Sequence, residues 1–138
     1  MNEQGKKKTA VTTRRAPAPG GAYSQAIRYG DLLFVSGVVP ADASAEQFTI
    51  LHPNDLEKQT VLVLEHLKAI VEDAGSSLDN ILKTTVFIHD LEKFHVFNDI
   101  YVRQFAGAGD LPARSTVEVG KFNWGMCIEI EAIAAIPE

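Results

Sequence analysis

The chain has little of what metal, redox and disulfide chemistry require. It holds one cysteine, Cys127, in 138 residues. A lone thiol excludes an internal disulfide and suits a reducing compartment. The four histidines, His52, His66, His89 and His95, show no ligand spacing, and no HExxH, CxxC or mixed Cys/His cluster occurs. No Walker-type loop and no GxGxxG occur, and Gly20-Gly21 has no preceding strand to make it a phosphate cradle. No Ser–His–acid set follows from the spacing. The longest apolar run, Leu32 to Ala41, is interrupted by Ser36, Gly37 and Pro40, well short of the ~18 residues of a membrane span. No apolar stretch follows the N-terminal charges as a secretory signal would require.

What is present is an ordinary globular composition, 46% hydrophobic and 22% charged, at a one-domain length. The net charge of −5 is unevenly distributed. Residues 1–15 carry five basic side chains against Glu3, leaving the other 123 residues at −9. We read residues 1–15 as a flexible basic arm, ending in the Pro/Gly-rich stretch Ala16 to Gly21, and residues 16–138 as a single domain. The acidic body argues against a broad nucleic-acid face, because phosphate attraction dominates such binding. The basic arm leaves that possibility open.

Periodicity gives a coarse order. Residues 22–29 and Leu32 to Val39 read as strands around a Gly30-Asp31 turn, with a further short strand possible at Phe48 to Leu51. Asn54 is a candidate N-cap, with Glu57 three residues on. The stripe Leu56, Thr60, Val63, Leu67, Ile70 and Ala74 predicts a helix that stops at Gly75. Ile81 to Ile88 is a strand. Asp90 caps a second helix, about 91–106, with the stripe Phe94, Phe97, Tyr101 and Phe105. Ala113 to Val119 and Met126 to Ala135 are strands. The fold class is therefore α+β, a mixed sheet of five to six strands with two helices on one face. Two helices cover one sheet face only. The other, which includes Ile133, must meet water or another subunit, and its apolar content favours an oligomer.

Five positions invite chemistry. Arg114 is one of three arginines after residue 15. Its rigid donor fork suits a carboxylate, and a structural ion pair with Glu118 or Glu129 is an equal alternative. Glu129 and Glu131 share a strand face. They form a solvated face, or burial and mutual repulsion hold one of them ready to move protons. Asn98 beside an aromatic stripe reads as a structural amide. Cys127 reads as a packed, inert thiol.

Six segments then resemble the RidA/YjgF family of reactive-intermediate deaminases. They are Gly21 to Ala26, Leu33 to Gly37, Lys83 to Phe87, Phe97 to Tyr101, Leu111 to Ser115 and Ile128 to Ala134, which fall in order across roughly residues 16–136. The resemblance implies a chorismate-mutase-like fold, a homotrimer with sites between subunits, and a cytoplasmic protein. It implies hydrolysis of 2-imino acids, formed from 2-enamines such as 2-aminoacrylate, to 2-keto acids and ammonia, with no metal or organic cofactor. By the same resemblance Arg114 grips the substrate carboxylate and Glu129 positions the attacking water and moves its proton. Tyr23 and Ser36 line the site, the Gly37 backbone faces the substrate, Asn98 shapes the pocket, and the Thr116 backbone lies near the imine nitrogen. The sequence departs from the family pattern at Ala22, Val38, Thr116 and the loop 121–127, which bears on the substrate side chain. A related deaminase acting on a larger enamine, and a non-enzymatic ligand-binding or RNA-associated module, are the other readings.

Overall fold

A tight turn starts the main sheet. Gly30 takes a φ of 61°, a conformation that costs a glycine nothing, and joins Ala26–Tyr29 (β2) to Leu32–Val38 (β3) as an antiparallel hairpin. The computed structural model describes residues 7–138. Its further elements are Thr9–Val11 (β1), helix Leu56–Asp73 (α1), Ile81–Ile88 (β4), helix Phe94–Gln104 (α2), Ala113–Glu118 (β5) and Ile128–Ala135 (β6). The six strands form one mixed sheet in the order β1-β2-β3-β6-β4-β5. β4 and β5 are parallel neighbours connected through α2, and the other pairings are antiparallel. Both helices lie on one face, and the fold matches the expected α+β architecture.

β6 organises the core. Ile128, Ile130, Ala132 and Ala134 are buried beneath the helices, while Glu129, Glu131 and Ile133 alternate onto the other face. Leu33, Val35, Val86 and Ile88 extend the buried surface across β3 and β4, and Val63, Leu64, Leu67, Phe97 and Tyr101 cover it from the helices. Each such side chain contributes about 1.5–3 kcal/mol by leaving water. The uncovered face leaves Leu32, Phe34 and Val117 exposed. Among the described residues no helix is long and apolar enough to cross a membrane.

Three expectations are corrected. The N-cap of α1 is Asp55, whose carboxylate accepts from the Lys58 amide, at 3.0 Å. Asn54 instead takes a φ of 63° and gives its amide to the Gly125 carbonyl, so the turn, not the cap, uses it. The strand at Phe48 to Leu51 shrinks to one bridge between Ala41 and Ile50. The expected flexible arm, residues 1–15, is ordered from Thr9 onward. Thr9–Val11 pairs with β2, and the buried Gln25 side chain accepts from the Thr13 amide and donates to the carbonyls of Thr13, Ala16 and Pro17. Arg15 reaches Glu72 and Asp73, each at 2.9 Å. Residues 1–6 of the expected arm lie outside the described residues. At the other end of α1, Gly75 takes the left-handed turn as expected (φ 89°), and the Ser76 amide reaches back to the Val71 carbonyl.

One buried polar side chain ties two loops to α1. Gln59 is fully buried. Its amide nitrogen donates to the carbonyls of Leu51, His52 and Gly125, and its oxygen accepts from the Cys127 amide at 2.6 Å. Replacing Gln59 with leucine strands these backbone groups, so Gln59→Leu should lose about 2–4 kcal/mol of stability. Urea denaturation checks this, and a midpoint equal to that of the wild type would refute it.

Candidate active site

The backbone of β3 breaks its register against β6 between Val35 and Val38. The residues of this irregularity are Ser36 and Gly37. The Ser36 amide and hydroxyl are taken by the carbonyls of Gln25 and Ser24, at 3.0 and 2.6 Å, which fixes the bend. A side chain at Gly37 would run into the Glu129 carboxylate. Glycine is therefore needed here for close approach: the carboxylate lies against bare backbone. Tyr23, Ser36, Gly37, Val39 and Glu129 line one cleft of about 300 Å³. Four expected site residues are thus brought together. The Tyr23 hydroxyl accepts from the Gly20 amide at 3.1 Å, orienting the ring at the cleft edge.

Glu129 is half-buried, and its carboxyl is held above the usual range, first by burial and then by the neighbouring charge of Glu131. Glu131 is exposed, so the pair is divided between a half-buried and a solvated carboxylate. Burial also raises the Cys127 thiol, so the thiol is protonated at neutral pH, as expected of an inert cysteine.

The remaining expected residues gather elsewhere. Arg114 on β5 lies under α2, where its Nη1 donates to Asn98 Oδ1 at 2.8 Å. Its guanidinium carbon is 5.3, 5.5 and 4.8 Å from the ring centres of Phe94, Phe97 and Tyr101. The aromatic stripe of α2 is thus both core and cradle, since ring faces attract a guanidinium. The Tyr101 hydroxyl is fixed in turn by Thr84 Oγ1 at 2.7 Å. Among the described residues the ion pairs are those of Arg15, and Glu118 accepts instead from the Leu91 amide. Within the chain the ion-pair alternative for Arg114 is not realised. Its fork has five N–H groups, and the partner it holds is a neutral amide. Thr116, two residues along on the same face, has a buried Oγ1 with no hydrogen bond.

Register decides how the two groups relate. Arg114 stands opposite Thr84 on β4, and Glu129 stands opposite Phe87. Positions 84 and 87 differ in parity, so the two side chains leave opposite faces of the sheet. Within one chain they are not brought together.

A second cleft, of about 310 Å³, continues from Glu129 and Tyr23 past Phe48, Phe122 and Trp124. The periodicity reading found neither Phe48 nor Gln59 as a site-shaping residue. A polar residue at an inward helical position was the available signal for Gln59, and Phe48 had none. Trp124 has a φ of 59°, a left-handed conformation that costs a non-glycine residue about 1–2 kcal/mol. Among the described residues no three His, Cys, Asp or Glu side chains form a metal-binding group.

Comparison with known proteins places this geometry. Residues 13–136 match the profile of the family described as endoribonuclease L-PSP. A RutC family protein of Pyrococcus abyssi is 40% identical over 127 residues, covering 92% of this chain and 96% of its own. Among solved structures, the Rid-family protein YyfA of Yersinia pestis superposes with a TM-score of 0.87 at 40% identity, covering 94% of this chain and all of its own. TdcF of E. coli, solved with bound serine, superposes with a TM-score of 0.84 at 39% identity, covering 93% of this chain and 98% of its own.

The raised Glu129 carboxyl has a linked effect on stability. The folded state holds this proton to higher pH than the unfolded chain does. Stability from this group therefore falls as pH rises from the unfolded carboxyl range through the folded value. Glu129→Gln should melt higher than wild type at about pH 7, with the gap narrowing towards about pH 4. Thermal melts of the two proteins across that range check the sign, and a gap that widens on acidification contradicts it.

Proposed function

The chain belongs to the RidA/YjgF family, and from that membership we propose that it is a cytoplasmic, homotrimeric hydrolase that converts 2-imino acids and their enamine precursors to 2-keto acids and ammonia. The observation that carries this reading is the setting of Arg114. In a body of net charge −9, this one arginine is pre-oriented by three rings and a neutral amide. Such a fork suits one small carboxylate. The serine bound to the related TdcF is a ligand of that chemistry.

The proposed reaction needs few parts. The enamine tautomerises to the imine, whose carbon is electrophilic once its nitrogen is protonated. Arg114 holds the carboxylate, and Glu129 holds a water against that carbon. Water oxygen bonds to C2 as Glu129 takes one of its protons. That proton passes to the nitrogen, the C–N bond breaks and ammonia leaves as the hydroxyl closes to the ketone, its proton going to Glu129 and from there to the departing ammonia as ammonium. A carboxyl raised above its usual range is better matched to receive and return this proton. Most of the remaining effect is placement.

Two copies are required by this mechanism, because Arg114 and Glu129 leave opposite faces of the sheet. We propose that Arg114 of one subunit faces the Glu129 cleft of the next, with Ser36, Gly37 and Tyr23 beside the carboxylate and Asn98 and Thr116 beside the arginine. The exposed Leu32 and Phe34 and the half-buried Ile133 support burial of the uncovered face in such an assembly. The ribonuclease reading suggested by the family description has less support. Arg15, one of the basic residues on which it would draw, is engaged by Glu72 and Asp73.

A serine dehydratase can supply 2-aminoacrylate while pyruvate is followed with and without this protein. Arg114→Ala should lower kcat/KM by about 10²-fold or more through the lost charged hydrogen bonds, and Glu129→Gln by about 10²–10⁴-fold. Equal rates for wild type and Arg114→Ala would sink the assignment. Mixing the two inactive variants under subunit exchange should restore part of the activity, since some interfaces then join an intact Arg114 to an intact Glu129. Absence of any recovery argues against shared sites.

A further inference from the structure

The cleft that begins at Glu129 does not end at the catalytic groups. It runs on to an aromatic wall, where Phe48 and Trp124 meet edge to face with ring centres 5.8 Å apart. Trp124 is 67% exposed, although large apolar rings normally gain by burial. Nothing about its backbone is loose. Trp124 sits in a left-handed conformation, and Gly125 follows with its own positive φ of 73°. A side chain at Gly125 would strike Pro53 at 2.8 Å. The Gly125 carbonyl accepts from both the Asn54 amide and Gln59. Phe48 is backed by Gly20, where a Cβ would meet the ring at 2.8 Å. Two loops distant in sequence are thus fastened so that two rings stand in water beside the site. Backbone strain held by its surroundings next to a binding cleft is a pointer to function.

We propose that Trp124 and Phe48 form the specificity wall of the site and receive the substrate's side chain, so that the protein favours 2-imino acids with bulky apolar or aromatic side chains over the imine of alanine. This assignment rests on the deaminase reading for the chemistry at C2. The wall itself is testable by binding alone.

Trp124 is the sole tryptophan, so intrinsic fluorescence reports directly on the wall. The full-length protein is titrated with two stable products, 4-methyl-2-oxopentanoate and pyruvate. The bulky keto acid should change the emission at about tenfold lower concentration than pyruvate, the scale on which an apolar pocket discriminates. By calorimetry, Trp124→Ala should reduce that preference to about threefold or less, and Trp124→Phe should keep most of it. In parallel, an amino-acid oxidase supplies the imines of leucine and alanine, and the ratio of their kcat/KM values is compared between wild type and Trp124→Ala. A fall in that ratio supports the wall. Pyruvate binding as tightly as the bulky acid overturns it. So does a ratio unmoved by Trp124→Ala, or a changed sedimentation of Trp124→Ala with preference intact, which would make the ring a subunit contact. If neither imine is turned over but the fluorescence preference holds, the deaminase reading fails and the wall stands. If both are turned over and the ratio ignores Trp124, the wall fails and the deaminase reading stands.

Discussion

The pleat of β6 is the constraint on which everything else in this molecule depends. It is one of the sheet's inner strands, between β3 and β4, and its side chains must alternate. One set, Ile128 to Ala134, carries the helices. The other presents Glu129 and Glu131 outward. Core and site are therefore two sides of one strand, and the carboxylate inherits the rigidity of the best-packed element in the fold. A one-residue slip would bury Glu129 under α1 and α2 and expose four apolar residues, a cost no local rearrangement offsets. The Gly37 irregularity completes the arrangement by bringing bare backbone against the carboxylate.

Preorganisation of the second group comes from different physics. Arg114 is held by ring faces and one neutral amide. The aromatic residues of α2 would fill the core equally well without an arginine. With one, they also fix its plane. Charge is held in place without being neutralised, and the Arg15 ion pairs at the other end of the molecule are the contrast, since there the charge is spent on Glu72 and Asp73.

Much of this was readable from residue order. Alternation in 128–135 gave the outward carboxylates, and the four-three spacing after residue 56 gave α1. Ordered segments around Tyr23, Ser36 and Glu129 pointed to residues that the fold does gather in one cleft. The failures share a cause. Asp55 rather than Asn54 caps α1 because Asn54 is claimed by Gly125, some seventy residues away. Residues 9–15 are ordered because Gln25 and Asp73 reach them. The absence of an Arg114–Glu129 ion pair within the chain, one of the alternatives the residues left open, depends on the parity of two strand registers against β4. Local pattern carries no record of such long-range pairings. Gln59 looks like any helical glutamine until the loops it fastens are placed around it.

Strand order has a last consequence, for the time at which the molecule becomes itself. β6 comes last among the strands but lies between β3 and β4. A chain grown only through β5 holds two separate pieces, the β1–β3 meander and the β4-α2-β5 crossover, with a slot where the centre belongs. Neither piece can complete its buried face until residues 128–135 arrive, and such long-range closure is slow compared with hairpin or helix formation. The same strand delivers Glu129. Completion of the core and arrival of Glu129 are one event, so a half-made chain has neither a closed core nor a finished cleft.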